Sequence, residues 1–174
     1  MKKNLLIAVL AAAGIMSTAG ASAADGQINF VGTITDTSCT VTNNPSNPLT
    51  VTLGTVSKNA FTGTGSTAAP TKFAIELTDC PITATSAVVK FDGTSANSDN
   101  SALKLTQDVG VATGVGIQLS DATGAVVPLY TASNPYTLSE GTNQLDFVAR
   151  YLALADTVTA GPANSTSQFT IIYN

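Results

Sequence analysis

The sequence predicts an all-β fold from three observations. Short runs of alternating apolar and polar residues recur along the chain, turn-forming residues separate them, and long stretches with apolar residues at helical spacing are absent. Alternation puts every second side chain on the same face of a pleated strand. Each run can therefore bury one face and wet the other.

The N-terminus stands outside this pattern. Lys2 and Lys3 precede an apolar run from Leu5 to Met16 that is too short to cross a bilayer, and Ala21-Ser22-Ala23 supplies the small residues of a cleavage site. Residues 1–23 are read as a secretory signal peptide, cut between Ala23 and Ala24. The remaining chain is the size of one domain. Directly behind the leader, where chains are usually loose, Ile28, Phe30, Gly32 and Ile34 recur at period two and share one face.

Further runs are expected as strands at Leu49–Val56, Lys72–Thr78, Ala87–Phe91, Ala102–Gln107, Gly116–Leu119, Val126–Tyr130, Gln144–Leu154 and Gln168–Tyr173. Asn44-Pro45, Asn47-Pro48, Asp92-Gly93, Thr123-Gly124, Asn134-Pro135 and Gly161-Pro162 punctuate them. Ser120 to Ala125 reads as a hairpin turn, and the Gly/Thr/Ser-rich stretch 59–70 as a loop. Many short strands at this spacing indicate a sandwich of immunoglobulin type. The last run places Phe169, Ile171 and Tyr173 on one face, one residue before the sequence stops. An amphipathic strand without a following neighbour, and an early strand able to lend a face, point to head-to-tail assembly.

Composition removes several classes of function. The formal net charge is −4, and losing Lys2 and Lys3 makes the chain more acidic. This argues against nucleic acid and anionic membrane surfaces as partners. No second apolar run is long enough for a transmembrane helix. The histidine count is zero, so Ser-His-Asp and Cys-His sites cannot be built. Gly63-Thr-Gly65 lacks the rest of a phosphate loop. Asp92, Asn97, Asp99 and Asn100 have no EF-hand spacing and read as a solvated turn. Glu76 and Asp79 fall on opposite faces of a strand. Asn164-Ser165-Thr166 matches a glycosylation acceptor, a pattern that is common by chance. No enzyme activity, cofactor or metal is assigned. Cys39 and Cys80 are the two cysteines. In an exported chain they read as a disulfide, contributing about 4 kcal/mol in the chain-entropy model.

Taken in order, these residues resemble a known family: the major subunits of type 1-like fimbriae, pilins of the chaperone–usher pathway. The resemblance rests on Gly26-Gln-Ile28-Asn-Phe30-Val-Gly32-Thr-Ile34, on Cys39 and Cys80 with Val51-Thr-Leu53-Gly54 between them, and on Phe73 to Cys80. It also rests on Phe147-Val-Ala149-Arg150-Tyr151, on Gly161 fourteenth from the end, and on the penultimate Tyr173. It covers nearly the whole mature chain.

The resemblance implies an incomplete immunoglobulin-like sandwich that lacks its last strand and is completed by a donor strand from a neighbouring subunit. Residues 24–35 would be the N-terminal donor-strand extension and residues 36–174 the pilin domain. Ile28, Phe30, Gly32 and Ile34 would enter a neighbour's groove. Gly161, Phe169, Ile171, Tyr173 and Asn174 would form the groove and the C-terminal strand that a periplasmic chaperone holds, with the Asn174 carboxylate as anchor. Partners would be identical or related subunits, the chaperone and an outer-membrane usher. The product would be a bacterial cell-surface fimbria, exported through the periplasm, that supports adhesion. Burying Ile28, Phe30 and Ile34 would contribute roughly 1.5–3 kcal/mol each before ordering costs. Two alternatives stay open: a minor or adaptor subunit of such a fibre, and a self-contained periplasmic immunoglobulin-like binding module. The chain has no room for the lectin domain of a two-domain adhesin.

Overall fold

The computed structural model describes residues 25–34 and 38–174. The signal peptide read at residues 1–23 lies outside the described residues, as do residues 35–37, where the extension was expected to meet the domain. The chain divides after Ile34 into two units. Residues 26–34 carry no regular secondary structure, and Ile28, Phe30, Val31 and Ile34 are exposed.

From residue 38 onward the chain forms two packed sheets from seven strands: β1 (Thr40–Val41), β2 (Thr67–Cys80), β3 (Ser86–Asp92), β4 (Val115–Asp121), β5 (Tyr136–Thr137), β6 (Gly141–Ala153) and β7 (Gln168–Tyr173). One sheet has the order β1-β2-β6-β4 and the other β5-β3-β7. An immunoglobulin sandwich of the constant type has strands A-B-E-D facing C-F-G. β1, β2, β6 and β4 reproduce the first sheet, and β3 beside β7 reproduces C and F. Among the described residues no strand takes the place of G, next to β7.

The two-residue period explains the packing. Phe73, Ile75 and Leu77 of β2 and Leu145, Phe147 and Ala149 of β6 point inward. Fully buried Phe147 joins the layers: its ring centroid is 5.7 Å from Phe73, 5.0 Å from Phe91 and 5.4 Å from Tyr136. Contacts of this kind add about 0.5–1.5 kcal/mol each beyond area burial. The Cys39–Cys80 disulfide ties the start of β1 to the end of β2.

The sandwich has two distinct ends. At the entry end, where the chain arrives at Cys39, Cys80 pairs with Gly141 and Ala87 with Tyr173. At the far end, Thr67 pairs with Leu152, Val115 with Ala153 and Asp92 with Gln168. Long connections at the far end are held by backbone bonds, such as Ala112 N–H to the Pro162 carbonyl at 2.9 Å and Thr106 N–H to the Asn164 carbonyl at 2.8 Å.

Several strand expectations need correction. Residues 49–56 carry no regular secondary structure and join no ladder. Runs 102–107 and 126–130 contribute only isolated bridges, Leu103 to Ser95 and Ile117, and Val126 to Ser120. Alternation marks which face is buried, but a strand also needs a partner in register, which the run itself does not encode. β2 begins at Thr67, inside the expected loop, and β1 and β5 were not anticipated because two residues show no period. The turn at 120–125 forms, with Gly124 N–H donating to Asp121 O at 3.0 Å and Asp121 N–H to Ala125 O at 2.9 Å.

Candidate functional site

β7 has β3 on one side, and among the described residues its other edge has no strand partner. Antiparallel pairing alternates, so a residue directs its backbone N–H and C=O either toward the partner or away from it. Asn174 faces β3: its N–H donates to Ser86 O at 2.9 Å, and Ser86 N–H donates back at 3.3 Å. Ile172 opposite Val88 and Thr170 opposite Lys90 therefore share that orientation. Phe169, Ile171 and Tyr173 direct their backbone groups to the open edge. The same three residues turn their side chains inward, half-buried against the core, while Ile172 on the outer face is 44% exposed. One run of three alternate residues thus presents both unpaired main-chain groups and an apolar floor.

Residues 51–56 pack on the same core through Val51 and Leu53, which are partly buried, and join no ladder. Upstream of β7, a cavity of about 360 Å³ opens at the far end, lined by Gly54, Val56, Phe61, Tyr151, Gly161 and Pro162 among others. Gly161 is thus not on the C-terminal strand with which the sequence reading grouped it; it precedes β7 and lines this cavity. Its lack of a side chain has a tertiary cause. A Cβ there would lie 2.6 Å from the Ala112 nitrogen and 2.9 Å from the Val111 carbonyl carbon.

The Tyr173 hydroxyl is buried and has no hydrogen-bond partner among the described residues. Burial pushes its pKa up, against a smaller opposing effect of the Cys39 backbone. That proximity places the end of β7 beside the disulfide at the entry end. Asn174 is exposed and pairs through its backbone with Ser86.

The N-terminal residues are placed by themselves. Ile28 is 79% exposed, Phe30 92% and Ile34 101%, and a Cβ on Gly32 would meet nothing within 4 Å. Val56 and Phe61 are cavity-lining residues that sequence reasoning missed. Alternating apolar character was the available signal at Val56, but it did not say that the residue borders a cavity. Among the described residues no group of three or more His, Cys, Asp or Glu could hold a metal ion, and no helix is long and apolar enough to cross a membrane.

Comparison with known proteins agrees with this geometry. A family model described as "Fimbrial protein" matches residues 28–174. Long polar fimbria protein A of Salmonella typhimurium is 36% identical over 176 residues, covering 99% of this chain and 97% of that protein. The crystal structure of an antigen and type I fimbria protein of Burkholderia pseudomallei is 40% identical, with a TM-score of 0.61 over 85% of this chain and 97% of that one. A chaperone–usher pilus subunit, from a structure concerned with rod uncoiling, matches at 25% identity and a TM-score of 0.66 over 87% and 96%. A sandwich of seven strands, whose β1, β2, β6, β4, β3 and β7 follow immunoglobulin order with no described strand beyond β7, and a family match from Ile28 to Asn174 lead to one conclusion: this chain belongs to the fimbrial protein family.

Proposed function

We propose that this chain is a structural, non-catalytic subunit of a bacterial surface fimbria, and that residues 24–35 of one subunit complete the sandwich of the next. The open edge of β7 carries this reading. Phe169, Ile171 and Tyr173 leave main-chain groups unpaired and an apolar face half-covered. An added strand satisfies both at once, through main-chain bonds for affinity and alternate side chains for register. Ile28, Phe30, Gly32 and Ile34 have the matching period. Before assembly a periplasmic chaperone covers the same edge, which would otherwise invite aggregation, and an outer-membrane usher is the place of exchange.

Chain polarity favours an antiparallel insertion. β7 runs from the far end to the entry end, and the chain joins the sandwich at Cys39, on the entry end. An arm antiparallel to β7 leaves the groove at the acceptor's far end and leads to the donor's entry end, so each joint repeats the last. A parallel arm would bring entry end to entry end, and both neighbours of a subunit would compete for one face.

The test uses the mature domain lacking residues 24–35, with and without a synthetic peptide of those residues. The expected result is a poorly soluble domain that the peptide converts to a stable complex with a raised melting temperature. A soluble truncated monomer that melts cooperatively and ignores the peptide would overturn the proposal in favour of a complete sandwich.

A further inference from the structure

Two tight turns at opposite ends of the sandwich carry β-branched apolar residues at their exposed corners. At the entry end, Ala84 N–H donates to Pro81 O at 3.0 Å, closing a turn whose corner Ile82 is 75% exposed. At the far end, Val111 N–H donates to Asp108 O at 3.1 Å, closing a turn with Gly110 at φ +74° and Val109 101% exposed. Polar residues and glycine normally fill such corners, because a tip in water gains nothing from an apolar side chain. Neither residue packs on its own domain, and Val109 adjoins the groove: the 110–112 backbone lies against Gly161, which lines the cavity.

Charge differs between the two ends. The entry end bears Asp79 and Glu140, next to Cys80 and Gly141, and among the described residues no Lys or Arg pairs into its last ladder positions. The far end bears Lys58 on the cavity wall and Lys104 beside Thr106, together with Asp108 and Asp156. Asp156 already accepts hydrogen bonds from the Thr64 hydroxyl and amide at 2.8 and 3.3 Å. The cations that an acidic entry end could meet therefore lie at the far end.

We infer that each joint has a second contact besides the inserted arm, formed by the Pro81–Ala84 turn of one subunit against the Asp108–Val111 turn of its neighbour, with Ile82 meeting Val109. This rests on the donor-strand reading and on its antiparallel orientation. With Ile34 leaving the acceptor's groove at the far end, five Cα steps to Cys39 reach about 18 Å at full extension. The tether therefore holds the donor's entry end close to the acceptor's far end. The high effective concentration lets a small apolar contact form that two free subunits would not sustain. The occupant of each turn is a second copy of this chain, and the contact sets the angle between successive subunits.

The experiment uses full-length protein assembled on cells. Fibres carrying both Ile82→Cys and Val109→Cys are treated with a short bismaleimide, boiled in SDS and reduced. The expected result is a covalent ladder of dimers and higher species from the double variant, and monomer alone from each single variant. Fibres that assemble normally, shown by an unboiled ladder, but yield only monomer after crosslinking and boiling would overturn this contact and leave the donor-strand reading intact. Absence of any unboiled ladder from the unmodified protein would instead sink that reading. If the added thiols disturb the Cys39–Cys80 pairing, Ile82→Asp and Val109→Asp read the same contact. Each should leave the melting temperature of the chaperone-bound subunit unchanged and lower the temperature at which fibres dissociate in SDS. Fibres of unchanged resistance from both variants would refute the contact.

Discussion

Gly161 lies against Gly110 so closely that a methyl group on Gly161 would run into the Gly110 carbonyl oxygen. The neighbouring Ala112 amide, hydrogen-bonded to Pro162 at 2.9 Å, holds this approach in place. Replacing Gly161 with alanine must therefore push apart the backbone segments that shape the cavity at the end of the groove. Overpacking of this kind costs about 1–3 kcal/mol. Gly161→Ala should lower the melting temperature of the peptide-completed domain and slow capture of the arm peptide. An unchanged melt would show that the 110–112 segment yields freely.

Ile171 is central among the groove-facing residues of β7, between Phe169 and Tyr173. A carboxylate at this position stays hydrated while the groove is open and loses water when a strand covers it. Ile171→Asp should therefore cost assembly more than folding. Co-purification with a co-expressed chaperone should fall by more than tenfold, equivalent to at least about 1.4 kcal/mol, and the fibre ladder should vanish. Wild-type fibre yield would contradict the groove assignment.

Gly32 lies on the N-terminal segment, outside the sandwich unit. The effect of a side chain there should appear only after insertion, where it joins the face shared with Ile28, Phe30 and Ile34. Gly32→Leu should leave the chaperone-bound subunit unchanged in yield and melting temperature while blocking polymerisation. Fibres of normal length would count against the donor assignment.

Asp121 closes the turn after β4. Its Oδ1 accepts from the Thr123 hydroxyl at 2.6 Å, the Thr123 amide at 2.9 Å and the Ala125 amide at 3.0 Å, and its Oδ2 accepts from Asn134 at 2.7 Å. The Thr123 hydroxyl bond is the main cause of a pKa below the ordinary carboxylate value; burial opposes it, and Asn134 and the two amides assist. Hydrogen bonds to Thr64 lower Asp156 likewise, and bonds to Ser101 lower Asp99. A depressed folded pKa stabilises above the unfolded pKa, and that stability is lost as pH falls through the folded value. The melting temperature should thus hold at neutral pH and fall below about pH 4. Asp121→Asn should lower it at neutral pH, by about 1–2 kcal/mol of stability, and flatten some of the acid decline. An acid profile identical to wild type would remove Asp121 from this role.

The class of fold, the faces of the long strands and the pairing of Cys39 with Cys80 are legible in the amino-acid sequence. Those properties are local or combinatorial: alternation is visible within β2, β3, β6 and β7, and two cysteines in an exported chain have one partner each. Phe169, Ile171 and Tyr173 were legible as one face for the same reason. Tertiary structure alone decided which edge stays open. Among the described residues β7 has β3 on one side, a pairing between segments far apart in the chain, and no strand on the other. Tertiary structure also decided that Val51 and Leu53 pack on the core without joining a ladder, because an alternating run becomes a strand only where a partner lies in register. The reason for a glycine at 161 was likewise hidden: the atoms that forbid a side chain belong to residues 110–112, and only the folded backbone brings them together.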